Sequence, residues 1–146
     1  MTFGGCGKTY LYQAICHAIH AQGDIILCIA STGLACLLLP GGQTAHSMFK
    51  IPINILDDNS ICNIPKESLC ADLLRMVVAV IYDEALMTDR HCFEALDRTF
   101  QDLRNCPKPF GGMTMILGGN FQQILPIIPR GSQADIVNAC LQMSYL

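Results

Sequence analysis

The sequence lacks the features that mark membrane, secreted and zinc-ribbon proteins. No apolar run approaches the roughly 18 residues that a membrane-spanning helix needs, and no signal-peptide pattern is present. The nine cysteines include no C-x-x-C pair and are odd in number, so neither a zinc site nor a disulfide framework is indicated. We therefore expect an intracellular chain in a reducing compartment, with no membrane partner.

A strong positive charge is also absent. The chain of 146 residues has a formal net charge of −3 and a pI near 5.7, so it offers no general basic surface for coating nucleic acid. A local groove that grips DNA is compatible with this charge. Hydrophobic residues make up 51% of the chain, which indicates a globular domain with a substantial core. No linker or internal repeat indicates a second domain.

The first nine residues contain most of a phosphate-binding loop with the pattern G-x-x-x-x-G-K-[ST]. In this pattern, backbone N–H groups curl around a polyphosphate, Lys8 reaches the outer phosphates, and the Thr9 hydroxyl is offered to magnesium. Thr2 stands where the pattern has its first glycine, and only Met1 precedes it. We therefore expect the strand that normally delivers such a loop to be missing.

Along the rest of the chain, short and uninterrupted apolar runs alternate with helical patterns. Such runs are typical of strands that are buried on both faces of a parallel sheet. The predicted strands are Ile25–Ala30, Val77–Tyr82 and Met113–Leu117. The predicted helices are Thr9–Gln22, Leu34–Leu39, a short turn within Gln43–Lys50, Glu67–Arg75, Asp89–Leu103 with Thr88 as its N-cap, and Ala134–Cys140. This order predicts an α/β sandwich with a mainly parallel sheet.

Polar residues follow the predicted strands at their carboxyl ends, where open α/β sheets build their sites. Ser31, Thr32 and Gly33 follow the first strand, although a hydroxyl there equally suits a helix cap. Asp83 and Glu84 follow the second strand. Alone, this acidic pair would also suit the start of the next helix. Downstream of a phosphate-binding loop it indicates hydrolysis, with Asp83 holding magnesium and Glu84 polarising the attacking water.

Five motifs, taken in order, resemble those of one protein family. They are Gly4–Thr9, Ala30–Ala35, Pro40–Ser47, Asp83–Met87 and Gly118–Pro126. Together they resemble the Pif-type (petite integration frequency) DNA helicases, and most closely the subgroup found in Helitron-type transposable elements. The resemblance implies a P-loop NTPase with a RecA-like, three-layer fold. It also implies DNA-stimulated ATP hydrolysis, five-prime to three-prime unwinding, and roles in DNA repair, recombination and telomere maintenance, in the nucleus or the mitochondrion.

The resemblance assigns roles residue by residue. It places ATP binding on the loop and the start of its helix, namely Gly4, Gly5, Cys6, Gly7, Lys8, Thr9 and Tyr10. It places hydrolysis on Lys8, Asp83, Glu84 and Gln123, with magnesium held by Thr9 and Asp83. The segments that approach single-stranded DNA, or a DNA junction, correspond to Ser31, Thr32, Gly33, Thr44, His46 and Ser47.

The chain also departs from the family pattern. The departures lie at Thr2, Leu86, Asn120 and Gln122. In addition, nothing in the sequence supplies the second RecA-like domain whose arginine reaches the γ-phosphate. We therefore expect residues 1–146 to form a single truncated RecA-like domain that binds ATP weakly with magnesium and does not unwind DNA alone. We expect the missing strand to leave an empty position beside Val77–Tyr82, with an aggregation-prone open edge.

Two other classes of function share part of this sequence pattern. The first is a non-catalytic remnant of a transposon helicase that binds nucleotide or a partner but hydrolyses nothing. Retention of both Lys8 and Glu84 counts against it. The second is a nucleoside or small-molecule kinase, which shares the phosphate-binding loop. It is disfavoured because the segment Gly118–Gln123 has no role in such an enzyme.

Overall fold

The computed structural model describes residues 7–53, 57–119, 126–129 and 131–146. Its strands are β1 (Ile25–Ala30), β2 (Gln43–Thr44), β3 (Val77–Asp83) and β4 (Thr114–Leu117). Its α-helices are α1 (Lys8–Ala21), α2 (Gly33–Cys36), α3 (Ala45–Phe49), α4 (Leu69–Met76), α5 (Arg90–Arg104) and α6 (Gln133–Asn138). Turns of 3-10 helix lie at Ala85–Met87, Pro109–Gly112 and Leu141–Met143. No helix in these described ranges has both the length and the apolar content to cross a membrane.

The strands form one parallel sheet in the order β2-β1-β3-β4. The two strands with the longest apolar runs, β1 and β3, take the inner positions, where both of their faces are covered. In the register, Ala30 of β1 is opposite Asp83, and Leu117 of β4 is opposite Tyr82. The carboxyl ends of these strands therefore meet at one edge of the sheet. The predicted parallel α/β arrangement is confirmed for these strands.

Helices cover both faces of the sheet and make three layers. Helices α1 and α2 lie on one face, where Tyr12 belongs to a buried cluster with Ile81. Helices α3, α4 and α5 lie on the other face, where Phe49 and Phe100 meet edge to face with their ring centroids 5.7 Å apart. Because β1 and residues 77–82 of β3 contribute side chains to both clusters, these runs are apolar without interruption.

Helix α5 carries the buried stripe that the sequence predicts. The stripe consists of Phe93, Leu96, Phe100 and Leu103, all of which are buried. The predicted N-cap, Thr88, is wrong. Asp89 caps the helix, and its Oδ1 accepts a hydrogen bond from the backbone N–H of His91 at 2.9 Å. Thr88 is instead buried at the carboxyl edge of the sheet, where its hydroxyl has other partners.

Two predictions about the sheet are also wrong. Gln43 and Thr44, which were expected in a helical turn, form β2 by pairing with the end of β1. The position beside β3 is not empty, because β1 and β4 pair with its two edges. Hydrophobic periodicity indicates which residues form a strand but not which strands are neighbours. The order of the strands in the sheet therefore could not be predicted from the sequence pattern. The prediction of a missing first strand bears on residues 1–6, which lie outside the described residues.

Candidate active site

The start of α1 faces the carboxyl end of β3. Gly7 precedes the helix with φ 70° and ψ 4°, a left-handed conformation that glycine adopts without strain. The turn makes Lys8 the first helical residue, and its Nζ lies 3.5 Å from Asp83 Oδ1. The lysine side chain is 41% exposed, so the ion pair is screened and weak. Lys8 is therefore available to a competing anion.

Tyr12 makes a second contact with the same carboxylate oxygen. Its hydroxyl donates a hydrogen bond to Asp83 Oδ1 at 3.1 Å. Lys8 and Tyr12 are four residues apart and so lie on the same face of α1. Burial of the ring, together with the nearby Asp83 charge and the hydrogen bond to it, raises the pKa of Tyr12 to about 12. The hydroxyl therefore stays protonated and acts as a donor over the whole neutral range.

Glu84 is held in an uncommon backbone conformation at the end of β3. Its φ of 54° and ψ of 33° lie in the left-handed region, which costs about 1–2 kcal/mol for a residue with a side chain. The Ser31 hydroxyl donates to the Glu84 carbonyl oxygen at 2.7 Å, and the Thr32 hydroxyl donates to Glu84 Oε2 at 3.1 Å. The end of β1 thus fixes both the backbone and the carboxylate of Glu84.

A network of three hydroxyl groups holds Ser31 in the position from which it contacts Glu84. Thr88 Oγ1 lies 2.7 Å from Ser31 Oγ and 3.0 Å from the Tyr82 hydroxyl oxygen. Burial raises the pKa of Tyr82 to about 12, against the opposing effect of its hydrogen bond with Thr88. Because the three hydroxyl groups satisfy one another, the network can be buried at little cost and holds Ser31 against Glu84.

The predicted DNA-contacting residues occupy two neighbouring places. Thr32 is the N-cap of α2, and Gly33 is the first residue of that helix. Thr44 is the N-cap of α3, where its Oγ1 accepts a hydrogen bond from the backbone N–H of the exposed Ser47 at 3.4 Å. The exposed His46 lines a cavity of about 780 Å³ to which Ser31 and Thr32 also contribute. The two segments therefore share one concave surface.

Some predicted site residues are not part of these contacts. Gly4, Gly5, Cys6 and Gln123 lie outside the described residues. Thr9 and Tyr10 lie in the first turn of α1 and are exposed, with Tyr10 at 78%. The described residues that the fold brings together are Lys8, Asp83, Glu84, Ser31 and Thr32.

Two residues that the sequence analysis missed, Tyr12 and Thr88, belong to the same arrangement. Tyr12 could have been found, because it follows Lys8 by one helical turn and is a polar-tipped side chain on the apolar face of α1. Thr88 could not have been found in this way. Its partners, Ser31 and Tyr82, are brought to it by strand pairing, which leaves no local signal in the sequence.

A second group of side chains has the composition of a metal site but a different role. Ligand atoms of Asp58, His91 and Glu94 lie within 4.8 Å of one another. The Arg90 guanidinium already neutralises two of them, at 3.5 Å from Asp58 Oδ1 and 2.8 Å from Glu94 Oε1. Asp89 Oδ1 lies 2.7 Å from His91 Nδ1. A fixed positive charge at the centre of the cluster opposes a divalent cation, so these residues form an ion-pair network.

The chain is similar to known DNA helicases over almost its whole length. A family model described as PIF1-like helicase matches residues 1–146. The ATP-dependent DNA helicase Pif1 of Psychrobacter sp. (strain PRwf-1) is 30% identical over 143 residues, which cover 97% of this chain and 22% of that protein.

Two solved structures have a similar fold. A Pif1 helicase from Bacteroides, in complex with ADP-AlF3 and ssDNA, is 25% identical with a TM-score of 0.77, and the match covers 92% of this chain and 30% of that one. The Pif1 helicase from Candida albicans is 28% identical with a TM-score of 0.74, and the match covers 86% of this chain and 29% of that one. The chain therefore spans less than a third of each of these proteins. The predicted RecA-like fold class is confirmed.

Proposed function

Because the chain belongs to the PIF1-like helicase family, we propose that it is the ATP-hydrolysing part of a DNA helicase that moves five-prime to three-prime along single-stranded DNA. The observation that carries this proposal is the position of Lys8, whose Nζ lies 3.5 Å from Asp83 while Glu84 follows directly in the chain. A lysine at the start of a helix, set against two acids at the end of a parallel strand, is the arrangement that phosphoryl transfer to water requires.

In the proposed reaction each side chain has a separate task. Lys8 leaves its weak pair with Asp83 and neutralises the charge that develops on the outer phosphates, while the backbone N–H groups at the start of α1 face the same anion. Glu84 polarises the attacking water, and the Ser31 and Thr32 hydroxyl groups keep its carboxylate in one orientation.

Magnesium is the metal that we propose for this site. The Asp83 carboxylate, at the end of β3, and the Thr9 hydroxyl, on the second residue of α1, would offer the hard oxygen ligands that Mg²⁺ prefers. Asp83 keeps 16% of its side chain exposed, so a ligand can reach it. When bound there with the nucleotide, the metal supplies positive charge to the phosphate oxygens.

The proposed DNA partner follows from the relatives and from the cavity. The Pif1 helicase from Bacteroides that this chain resembles was crystallised with ssDNA. We assign contact with single-stranded DNA, or a DNA junction, to Ser31, Thr32 and His46, which border the cavity of about 780 Å³, and to Thr44 and Ser47, close to His46 in the chain. We further propose a role in DNA repair, recombination and telomere maintenance, on nuclear DNA or, alternatively, on mitochondrial DNA.

Unwinding is proposed for the complete helicase, with residues 1–146 as the first of its two RecA-like domains. The second domain would supply an arginine that reaches the γ-phosphate. Such an arginine contributes a factor of roughly 10³–10⁵ to the rate in related NTPases. The chain alone is therefore expected to bind ATP with magnesium and to hydrolyse it slowly.

The test is equilibrium binding of ATP to the purified chain, followed by hydrolysis with and without single-stranded DNA. We expect Lys8→Ala to weaken binding at least about tenfold, the effect of losing roughly 1.4 kcal/mol of charge-assisted contact. We expect Glu84→Gln to bind ATP normally but not to hydrolyse it. Lys66→Ala is the matched control, because that exposed lysine pairs with Asp102 on the surface of α5.

The outcomes separate the proposal from its alternative. Equal ATP affinity of the wild type and Lys8→Ala would contradict nucleotide binding at this site. ATP binding that depends on Lys8, with no turnover above that of Glu84→Gln, would instead favour the non-catalytic remnant.

A further inference from the structure

Tyr12 is a buried residue with a hydroxyl group that the core does not need. Its ring is only 4% exposed and packs among apolar side chains between α1 and the sheet. A phenylalanine would fill the same space, and a tyrosine hydroxyl is buried only where it finds a partner. Here the partner is the carboxylate of Asp83, at 3.1 Å. The hydroxyl is therefore positioned for Asp83 rather than for packing.

Gly118 provides the room for this hydroxyl. It follows β4, and a Cβ atom at this position would lie 1.8 Å from the Tyr12 hydroxyl oxygen and 2.9 Å from Asp83 Oδ1. Its backbone is also fixed, since its N–H donates to the Tyr82 carbonyl at 2.8 Å and its carbonyl accepts from the Ala85 N–H at 2.8 Å. Any larger residue would have to displace the tyrosine or the aspartate.

Two described side chains contact the Asp83 carboxylate at the same oxygen. Within the described part of the chain, the side chains that contact this carboxylate, Lys8 and Tyr12, both do so at Oδ1. Lys8 is the partner that a phosphate would draw away, because its pair with Asp83 is long and screened. Tyr12 is held by the core and cannot follow. It therefore keeps Oδ1 in place when Lys8 moves to a phosphate.

We propose that Tyr12 is a positioning residue that orients the Asp83 carboxylate for the magnesium of a bound nucleotide, and that Gly118 is required to admit its hydroxyl. The inference rests on the proposed nucleotide-binding function. It adds a role for the hydrogen bond from Tyr12 of α1 to Asp83 of β3. Outer-shell partners of this kind typically contribute a factor of 10–100 to metal affinity, which sets the expected effect of removing the hydroxyl.

The experiment measures the affinity of the 146-residue chain for a fluorescent ATP analogue over a titration of Mg²⁺, and again in EDTA. We expect Tyr12→Phe to raise the Mg²⁺ concentration for half-maximal binding about tenfold, at the low end of that range. The affinity measured in EDTA is expected to stay unchanged. The matched control is Tyr145→Phe, which removes another tyrosine hydroxyl from a carboxylate, that of Asp97, away from the site.

A second variant tests the role of Gly118. Gly118→Ala is expected to raise the Mg²⁺ requirement in the wild type by about as much as Tyr12→Phe does, because it displaces the hydroxyl. In the Tyr12→Phe background the same change is expected to add less than in the wild type, because the 1.8 Å clash with the hydroxyl is gone and the approach to Asp83 Oδ1 at 2.9 Å remains. Independent, additive effects of the two substitutions would overturn the inference.

The remaining outcomes are equally decisive. If Tyr12→Phe and the wild type need the same Mg²⁺ concentration, the inference is wrong and the proposed function stands. If Tyr12→Phe weakens binding equally in EDTA, the residue acts only through packing, which also overturns the inference. If the wild type binds no nucleotide at all, the proposed function itself fails, and the inference fails with it.

Discussion

The Thr32 hydroxyl donates a hydrogen bond to Glu84 Oε2 at 3.1 Å and accepts one from the backbone N–H of Ala35 at 3.3 Å. A single hydroxyl thus joins the N-terminus of α2 to the carboxylate that follows β3. In the proposed function, Thr32 lies on the side that approaches DNA and Glu84 polarises the water. The bond therefore connects the DNA-facing residues directly to the hydrolytic group.

This relationship predicts two effects of Thr32→Ala. The loss of the N-cap should lower the free energy of unfolding by about 1 kcal/mol. The loss of a hydrogen bond to a charged group, about 1.5 kcal/mol, should reduce the stimulation of ATP hydrolysis by single-stranded DNA about tenfold. Denaturant unfolding and steady-state hydrolysis measure the two effects. Thr32→Ser keeps the hydroxyl and is the control; identical behaviour of the two variants would show that the hydroxyl has neither role.

The left-handed backbone of Glu84 predicts a stability difference between two variants that both lack the carboxylate. Glu84→Ala keeps a Cβ atom at φ 54°, whereas Glu84→Gly removes it. Since this conformation costs a residue with a side chain about 1–2 kcal/mol, and glycine is less restricted in the unfolded chain, Glu84→Gly should be the more stable by about 1 kcal/mol. Chemical denaturation of both variants is the measurement.

The control for the Glu84 comparison is Asn105, which has φ 48° at the end of α5. Asn105→Gly should likewise be more stable than Asn105→Ala, because the two positions have similar φ angles. The wild-type asparagine, which tolerates this region better than other residues with side chains, should be closer in stability to Asn105→Gly. Equal stability of Glu84→Gly and Glu84→Ala would mean that the position carries no strain. A higher stability of Glu84→Gly would show that the backbone at this position is strained by a side chain.

The sequence predicted the parts of this protein that depend on burial along one element. The bounds Ile25–Ala30 and the buried stripe of α5 were predicted correctly, because a strand covered on both faces and an amphipathic helix leave a periodic apolar pattern. The placement of Asp83 and Glu84 at the end of β3 followed in the same way, from the abrupt change from apolar to acidic residues.

Features that depend on contacts between distant elements could not be predicted. The cap of α5 falls on Asp89 rather than Thr88, because Thr88 is taken up by hydroxyl groups of β1 and β3 that only the folded sheet brings to it. The pairing of β4 with β3 could not be predicted either, because it also joins elements that are distant in the sequence. Tyr12 is intermediate: its spacing from Lys8 can be read from the sequence, but its hydrogen-bond partner Asp83 cannot.

The buried thiols predict a loss of stability at alkaline pH. Burial, with a further contribution from the adjacent Cys16, raises the pKa of Cys28 to about 12 from an ordinary value of 9.0, and burial raises that of Cys92 to about 12 and that of Cys62 to about 11. The unfolded chain releases these protons from about pH 9, while the folded chain still holds them. The stabilisation is therefore complete below about pH 9 and is lost as the pH rises towards 11–12.

Denaturant unfolding at pH 8, 9.5 and 10.5 checks this prediction. Each thiol that stays protonated only in the folded chain should contribute a slope of up to about 1.4 kcal/mol per pH unit above pH 9. Cys28→Ala should be less stable at pH 8 because of the cavity it leaves, but its stability should fall less steeply above pH 9. A slope that is the same in Cys28→Ala and the wild type would contradict the assignment.

Asp97, a buried acid on α5, is expected to contribute to stability through three hydrogen bonds. It is 2% exposed, and its oxygens accept hydrogen bonds from the backbone N–H of Phe110 at 2.6 Å, Gln101 Nε2 at 2.9 Å and the Tyr145 hydroxyl at 3.1 Å. Phe110 has φ 50°, an unfavourable conformation for an aromatic residue, in the turn that leads into β4. The carboxylate therefore holds a strained turn at the point where β4 begins.

We expect Asp97→Ala to lower the free energy of unfolding by about 3 kcal/mol, because it leaves the buried Phe110 N–H without an acceptor. Asp97→Asn should cost less, since its amide oxygen can still accept from Phe110. Tyr145→Phe alone should cost about 1 kcal/mol, and should cost almost nothing in the Asp97→Ala background, because its partner is then gone. If Asp97→Ala cost under about 1 kcal/mol, packing rather than the carboxylate would hold Phe110 in its left-handed conformation, and the role assigned to Asp97 would be wrong.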